Sequence, residues 1–174
     1  MIEVPADALV IGLGGNIGDD AAIIDRFGRA REALGSLGEV RAAALYRSAP
    51  IGVPQQPFLN SAVRVRMADA TAAEIIETVL EIERLLGRDR NVEIRGGPRA
   101  IDLDVLLWGA RQVRWDGPPA LEVPHPRLAE RRFVLQPLID LLGEAVTIPG
   151  TALTIAELER RVRAQSVERV AAAW

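Results

Sequence analysis

The chain has 174 residues, a formal net charge of −3 and 49% apolar residues, which suits one globular domain with a single sizeable core. It contains no cysteine, and all 21 of its basic residues are arginine, so disulfides, thiolate metal sites, a cysteine nucleophile, a Walker-type lysine and a lysine Schiff base are excluded. No apolar run could cross a bilayer and the N-terminus lacks the basic start of a signal peptide, so we expect a cytoplasmic protein that binds neither membranes nor nucleic acid.

The predicted elements follow one another in the order β-α-β-β-α-β. In chain order they are a buried strand over 8–14, a helix that starts at Asp19 or Asp20, strands over 39–46 and 58–67, a helix from the capping box of Thr71 and Glu74 to Gly87, and a strand over 100–108. This is the order of the ferredoxin-like α+β sandwich, an antiparallel sheet with helices on one face.

A C-terminal extension follows this core. Residues 133–142 are apolar and we expect them to be helical beyond Pro137. The capping box of Thr154 and Glu157 predicts a last amphipathic helix, so that a helical extension covers about 151–170. Because no repeat or linker divides the chain, we expect 1–174 to form one domain with its core at about 8–142.

Asp102 and Asp104 form the strongest chemical signal in the chain. Strand alternation places both aspartates on one face and four apolar residues on the other: Ile101, Leu103, Val105 and Leu107. The aspartate Cα atoms would lie roughly 7 Å apart, and two carboxylates this close repel each other unless a cation lies between them. Oxygen ligands favour Mg²⁺, which takes further ligands from water and phosphates. A solvated Asp-x-Asp on an exposed strand face is the alternative.

Arginines crowd the segment that leads into this strand: Arg84, Arg88, Arg90, Arg95 and Arg99. Next to a carboxylate pair that holds Mg²⁺, guanidinium groups can neutralise the charge that develops during polyphosphate transfer. The glycines of the segment suggest a loop that can close over a substrate. A solvated loop with salt bridges to nearby acidic residues is the alternative.

Four other side chains are candidates for substrate contacts. Glu83 lies in the last turn of its helix, where the helix dipole disfavours a carboxylate, although a salt bridge to a neighbouring arginine would also explain it. His125, the single histidine, is held between two prolines, and a lone histidine is more often structural. Phe58 and Phe133 could stack on a flat heterocycle, although core packing is the commoner fate of phenylalanine.

Six short motifs occur in a fixed order between Ile11 and Leu138. They are Gly14-Gly15-Asn16, Tyr46-Arg47-Ser48, Gln56-Pro57-Phe58-Leu59-Asn60, Gly87-Arg88-Asp89-Arg90, Gly97-Pro98-Arg99-Ala100-Ile101-Asp102-Leu103-Asp104, and Pro124-His125-Pro126-Arg127 followed by Arg131 and Phe133. Together they resemble the 6-hydroxymethyl-7,8-dihydropterin pyrophosphokinase family of folate biosynthesis. The Gly-Pro-Arg-x-Ile-Asp-Leu-Asp block is the most specific of them.

The resemblance implies transfer of pyrophosphate from ATP to the pterin hydroxymethyl group, with release of AMP and with two Mg²⁺ ions held by Asp102 and Asp104. It implies the catalytic residues Arg90, Arg99, Asp102 and Asp104. It implies ATP contacts from Glu83, Arg90, Arg95, Arg99, His125 and Arg131. It implies pterin contacts from Ser48, Ala49, Ile51, Phe58, Asn60 and Phe133. We expect a monomer whose partners are ATP and the pterin. Some relatives carry an aromatic residue where this chain has Gly96.

Two other functional classes stay open. A nucleotide-sugar transferase could use Asp-x-Asp to bind its metal, but it would release a nucleoside diphosphate and usually needs a larger chain. An RNA-binding module can share the βαββαβ order. Such a module needs exposed aromatics on its central strands and a basic face, whereas aromatics are 4% of this chain and the net charge is negative.

Overall fold

The computed structural model describes residues 1–67, 69–90, 93–94 and 96–174. Its strands are β1 (Ala8–Gly15), β2 (Gly38–Ala42), β3 (Leu45–Ser48), β4 (Phe58–Met67), β5 (Asp102–Trp108), β6 (Val113–Trp115), β7 (Leu121–Val123) and β8 (Val167–Ala171). Its helices are α1 (Asp20–Leu34), α2 (Ala72–Leu85), α3 (Arg132–Leu142) and α4 (Ile155–Arg161), with a 3-10 turn at Leu128–Glu130. Over these residues, no helix combines the length and the apolar character that a membrane span requires.

Six strands form one antiparallel sheet in the order β5-β1-β4-β3-β8, and β2 pairs with β4 as well. Strands β6 and β7 form a separate two-stranded ribbon. In the pairing of β1 with β5, Gly12 lies opposite Asp104 and Gly14 lies opposite Asp102. Because glycine has no Cβ, the Leu106 side chain packs closely over Gly12, where a Cβ would lie 3.1 Å from its Cδ1 atom, and Asn60 Oδ1 would lie 3.6 Å from a Cβ at Gly14.

Helices cover both faces of the sheet. On one face, Phe27 of α1 and Ile75 of α2 pack in a cluster with strand residues such as Ile11. On the other face, Leu135 of α3 and Ile155 of α4 pack in a second cluster. The prediction of a mixed fold of helices and an antiparallel sheet is confirmed, and α1 and α2 pack on one face of that sheet. The C-terminal helices cover the opposite face, because the inward side chains of that face are also apolar and must be removed from water.

A β-bulge changes the alternation of β5. The register shifts between Val10 and Ile11, which pair with Leu107 and Val105, so Leu106 is the extra residue of β5. Ile101, Leu103 and Val105 join the cluster under α1 and α2 as predicted. Leu107 lies in the opposite cluster, so the prediction that it shares their face was wrong, since one inserted residue reverses the alternation beyond it.

The strand predicted over 39–46 is interrupted at Ala43 and Ala44, which separate β2 from β3. At this interruption, side chains form some of the hydrogen bonds that a continuous strand would make with its neighbours. Ser61 Oγ lies 3.3 Å from the Ala43 carbonyl oxygen and 2.9 Å from that of Ala44, and the Ala44 N–H donates to Asp140 Oδ2 at 3.0 Å. A strand can be interrupted inside a core when the backbone N–H and C=O groups at the break are hydrogen-bonded.

The two capping boxes form as predicted, whereas two other features of the helices differ. Thr71 and Thr154 each accept from the backbone N–H three residues on, and each pairs with the glutamate there. Helix α3 begins at Arg132 and therefore contains Pro137, although we expected it only beyond that proline. Helix α4 ends at Arg161, and residues 167–171 form strand β8 beside β3, so the helix predicted towards 170 is shorter.

Candidate active site

Asp102 and Asp104 lie on the face of β5 opposite Ile101, Leu103 and Val105, and each is paired with a glycine of β1. Their side chains are 21% and 37% exposed. Two carboxylates therefore project from one strand face into a region that is only partly accessible to water, as the alternation of the sequence predicts.

The Asp102 carboxylate is bound by two arginines. Arg99 Nη1 donates to Asp102 Oδ2 at 2.6 Å, and Arg88 Nη1 donates to Oδ1. Burial alone would raise the pKa of the Asp102 carboxyl, but the charges and hydrogen bonds of Arg88 and Arg99 outweigh it and hold this pKa below its usual range. Asp102 is thus a carboxylate at neutral pH, with positive charge fixed beside it.

Asp104 is in the opposite electrostatic situation. Its Oδ2 atom lies 3.8 Å from Arg131 Nη1 and 4.0 Å from His125 Nε2, both beyond hydrogen-bonding distance. Burial and the neighbouring charge of Asp102 raise the pKa of Asp104 to about 6, although Arg131, Arg88 and Arg99 act against them. The neighbouring arginines therefore compensate the charge of Asp104 only in part.

Glu83 and Arg88 form a buried ion-pair network behind β5. Glu83 is 1% exposed; its carboxylate accepts from Arg88 Nη1, from Arg90 Nη2 at 2.6 Å and from the Leu103 N–H at 2.7 Å. Burial raises the pKa of Glu83 despite these partners. Since Arg88 bridges Glu83 and Asp102, helix α2 and strand β5 are joined through one guanidinium.

A first cleft of about 220 Å³, here called the inner cleft, opens over the glycines of β1. Every residue predicted to bind the pterin lines it: Ser48, Ala49, Ile51, Phe58, Asn60 and Phe133. The charged side chains of its wall are Arg99, Asp102, Asp104, Arg127 and Arg131. Asn60 Nδ2 donates to Ser48 Oγ at 2.9 Å, which fixes the orientation of this amide on the cleft wall.

A second cleft of about 380 Å³, here called the outer cleft, lies on the other side of Asp104. Its lining includes Arg90, His125 and Trp115, with apolar residues of α2 and β5. Asp104 lines both clefts. The two cavities therefore meet at Asp104, whereas Asp102 lines the inner cleft alone.

His125 faces the outer cleft as a neutral hydrogen-bond donor. Its Nδ1 atom accepts from the Arg127 N–H at 3.1 Å, so the ring proton resides on Nε2, which lies towards Asp104. Burial and the charge of Arg131 lower the pKa of His125, which keeps the ring uncharged at neutral pH. It can donate to an oxygen of a ligand in this cleft.

Comparison with known proteins identifies the family. The model of the 7,8-dihydro-6-hydroxymethylpterin-pyrophosphokinase (HPPK) family matches residues 10–143. This chain belongs to the HPPK family. A 2-amino-4-hydroxy-6-hydroxymethyldihydropteridine pyrophosphokinase of Methylorubrum extorquens is 38% identical over 161 residues, which cover 92% of this chain and 96% of that protein. Its counterpart in Synechocystis sp. is 35% identical, covering 93% and 80%.

Some relatives are much longer than this chain. It is 43% identical over 144 residues to the mitochondrial folate synthesis bifunctional protein of Arabidopsis thaliana, but it spans only 24% of that protein. A crystal structure of Plasmodium falciparum HPPK-DHPS with SDX-DHP superposes with a TM-score of 0.72 at 14% identity, covering 93% of this chain and 47% of the other. That likeness establishes the shared fold. Membership of the HPPK family sets aside the nucleotide-sugar transferase and RNA-binding alternatives.

The structure brings most of the predicted HPPK site residues together around the two clefts. Arg99 and Arg131 line the inner cleft, and Arg90 and His125 line the outer cleft. Glu83 lines neither of them and instead supports the arginines from behind. Arg95, predicted to contact ATP, lies outside the described residues. The role of each residue in binding or catalysis stays a prediction.

Two residues of the site were not singled out from the sequence. Arg88 forms the salt bridge to Glu83 that the sequence offered as one alternative, but its second contact, with Asp102, was not predicted. Asn16 is 3% exposed and hydrogen bonds to two loops of the site. Its place in the Gly14-Gly15-Asn16 motif was the available signal, since a polar residue directly after a buried strand needs partners.

Proposed function

We propose that this chain transfers pyrophosphate from ATP to the hydroxymethyl group of 6-hydroxymethyl-7,8-dihydropterin, with release of AMP, as a step of folate biosynthesis. The observation that carries the proposal is the junction of two clefts at Asp104. A transferase for two substrates needs two adjoining sites with fixed charge where they meet. Relatives named as pyrophosphokinases and folate synthesis proteins support the same activity.

The pterin occupies the inner cleft in this proposal. Phe58 and Phe133 supply aromatic faces for its flat ring, and the Asn60 amide hydrogen bonds to its edge. The triphosphate of ATP extends from the outer cleft across Asp104 towards Arg99 and Arg131, while Arg90 and His125 contact the nucleotide from the outer side. This arrangement follows from which side chains line which cleft.

Asp102 and Asp104 are the residues that would hold the two Mg²⁺ ions implied by the family resemblance. Each oxygen of Asp102 accepts from one arginine and keeps a second lone pair for a metal. The raised pKa of Asp104, at about 6, marks a carboxylate whose charge the neighbouring arginines compensate only in part. The described residues contain no group of three acidic or histidine side chains suited to a metal, so a bound Mg²⁺ would need phosphate and water oxygens as its other ligands. Mg²⁺ bound there would neutralise phosphate charge.

The chemistry is an in-line displacement at the β-phosphorus. The hydroxymethyl oxygen forms a bond to the β-phosphorus, the bond from that phosphorus to the oxygen bridging the α-phosphate breaks, AMP leaves with that oxygen, and the hydroxyl proton passes to solvent. The chain's own contribution is to orient the two substrates and to fix guanidinium charge near the leaving oxygen. Neutral His125 donates a hydrogen bond rather than removing the proton.

The remaining features of the proposal concern the whole chain. The strand order β5-β1-β4-β3 with α1 and α2 on one face supports a ferredoxin-like core extended at its C-terminus. We also propose that the chain forms one domain, acts as a monomer and resides in the cytoplasm.

The activity is tested by incubating the chain with ATP, Mg²⁺ and the reduced pterin alcohol. We expect AMP and the diphosphorylated pterin in equal amounts, with no ADP, and no AMP when the pterin is omitted. Formation of ADP, or of AMP that does not depend on the pterin, would contradict pyrophosphate transfer.

Replacing Arg99 by alanine should lower kcat much more than it raises the KM for ATP. The guanidinium is already engaged by Asp102, so its contact with the transferring phosphates becomes strongest when charge develops in the transition state. We expect a fall in kcat of roughly 10²-fold to 10³-fold. Steady-state kinetics of this variant are compared with those of Arg29→Ala, which changes an exposed arginine of α1. An unchanged kcat with a raised KM would show that Arg99 contacts ATP equally strongly in the ground state and in the transition state.

Replacing Phe133 by leucine should weaken pterin binding and spare ATP binding. Leucine keeps apolar contact on the cleft wall but loses aromatic stacking, which is worth about 1 kcal/mol, so the pterin Kd should rise by roughly fivefold to tenfold. Calorimetric titrations with each substrate separately would measure this. A larger effect on the nucleotide than on the pterin would reverse the assignment of the clefts.

A further inference from the structure

We propose that Asn16 is a positioning residue whose side-chain amide joins the two loops over the inner cleft and thereby sets the place of Arg99. This inference rests on the function proposed above, because Arg99 is taken to act on the phosphates. The two loops are the segment 49–57, called the pterin loop, and the segment 96–99, called the arginine loop.

Asn16 is tied to the arginine loop by two hydrogen bonds. Its backbone N–H donates to the Arg99 carbonyl oxygen at 3.0 Å, and its Oδ1 accepts from the Arg99 N–H at 2.9 Å. The residue directly follows β1, an interior strand that pairs with both β4 and β5. The backbone of Arg99 is therefore anchored to the end of an interior strand.

The other half of the same amide binds the pterin loop. Asn16 Nδ2 donates to Gln55 Oε1 at 3.0 Å and to the Gln56 carbonyl oxygen at 3.0 Å. Gln55 in turn donates from Nε2 to the Gly96 carbonyl oxygen at 2.7 Å. The pterin loop and the arginine loop are thus linked twice, once through Asn16 and once through Gln55.

The chemistry of asparagine is required at this position. The buried amide uses both of its Nδ2 hydrogens and its carbonyl oxygen, so it must donate to one loop and accept from the other at the same time. Aspartate has the same shape and can still accept from the Arg99 N–H, but it would present an acceptor to the Gln56 carbonyl. Asn16→Asp is therefore expected to release the pterin loop while the link to Arg99 persists.

Asn16 lines neither cleft, so it acts through other residues rather than on the substrates. Gln55 and Arg99 do line the inner cleft. A fixed spacing between the two loops sets where the pterin lies relative to the Arg99 guanidinium. Small misplacements of reacting groups lower the rate without removing any binding contact.

The test is a double-mutant cycle between Asn16→Asp and Arg99→Ala, measured on kcat. We expect Asn16→Asp to lower kcat by at least roughly tenfold, with the Kd of the pterin and of α,β-methylene-ATP each changed less than about threefold. If Asn16 acts through Arg99, the double variant should be within about threefold of Arg99→Ala alone. Fully additive losses, or an unchanged kcat in Asn16→Asp, would overturn the proposal.

Two further measurements separate this proposal from a general loss of stability and from a failure of the proposed function. Thr154→Ala removes the cap of α4, a loss of about 1 kcal/mol far from both clefts, and should leave kcat unchanged. A crystal structure needs no turnover. In Asn16→Asp the Gln56 carbonyl oxygen should lie beyond hydrogen-bonding distance of the side chain at position 16, whereas the Arg99 N–H should still donate to that side chain. An undisplaced Gln56 carbonyl would contradict the link even if the chain proved to catalyse another reaction.

Discussion

Asp104→Asn should abolish turnover and yet make the metal-free protein more stable. The substitution removes a proposed metal ligand, and losses of charge-neutralising groups in phosphoryl transfer reach roughly 10³-fold or more in kcat. In the metal-free fold the same carboxylate is disfavoured by burial and by Asp102, which raise its pKa to about 6. Removing that unfavourable charge should raise the Tm by a few degrees at about pH 8.

The pH dependence of this stabilisation follows from the direction of the pKa shift. Asp104 binds a proton more tightly in the folded state than in the unfolded chain, so its charge destabilises the fold above about pH 6, and this penalty disappears as the pH falls towards the usual aspartate value of 3.8. The advantage of Asp104→Asn over the unmodified chain, measured in EDTA, should therefore shrink between about pH 7 and about pH 4.5.

Asp102→Asn provides the contrast to this result. It should lose activity to a similar extent, but it also leaves Arg88 and Arg99 without their shared carboxylate and should lower stability. Asp25→Asn, at an exposed position on α1, should change neither property. Near-normal kcat in either variant of the pair would refute the metal assignment, and a lower Tm for Asp104→Asn would refute the electrostatic account of that residue.

Glu83→Gln should cause a large loss of stability. The Glu83 side chain is 2% exposed and is paired with Arg88 and Arg90. Because burial raises the pKa of this carboxyl, the expected loss comes from its hydrogen bonds: both of its oxygens accept, and glutamine would turn an NH2 group towards buried donors. Breaking a buried network of this kind typically costs about 3–5 kcal/mol. Arg88 retains Asp102 and Glu93 as partners, so we expect the free energy of unfolding to fall by about 3 kcal/mol.

Glu81→Gln is the matched control for this prediction. Glu81 lies on the same helix and pairs with Arg84, but its side chain is 54% exposed, and exposed pairs contribute about 0–1 kcal/mol. Urea unfolding of both variants against the unmodified chain gives the two free energies. Equal and small effects would show that the network of Glu83 does not stabilise the fold.

Several parts of the fold and the site could be predicted from local sequence patterns. Alternation around Asp102 and Asp104 predicted their shared face because strand period is a local property. The capping boxes at Thr71 and Thr154 formed because both partners lie within one turn of helix. The pterin residues, predicted from their motifs, were brought together on one cleft.

Other features depend on contacts between distant residues and could not be predicted this way. The bulge at Leu106 arises from the register between β5 and β1, which alternation in one strand does not encode. Strand β8 forms by pairing with β3, more than a hundred residues earlier. The link of Asn16 to Gln55 and Arg99 joins three separate segments, so neither spacing nor periodicity indicated it.

In the proposed mechanism, the two aspartates of β5 bind divalent cations together with the triphosphate of ATP. The most direct test is a crystal structure of the chain with Mn²⁺, α,β-methylene-ATP and the pterin alcohol, in which anomalous scattering locates the metal. We predict manganese peaks within coordination distance of Asp102 and Asp104, between them and the phosphate oxygens, with the pterin between Phe58 and Phe133. A nucleotide bound with its metal elsewhere, and with both carboxylates free of it, would contradict the account.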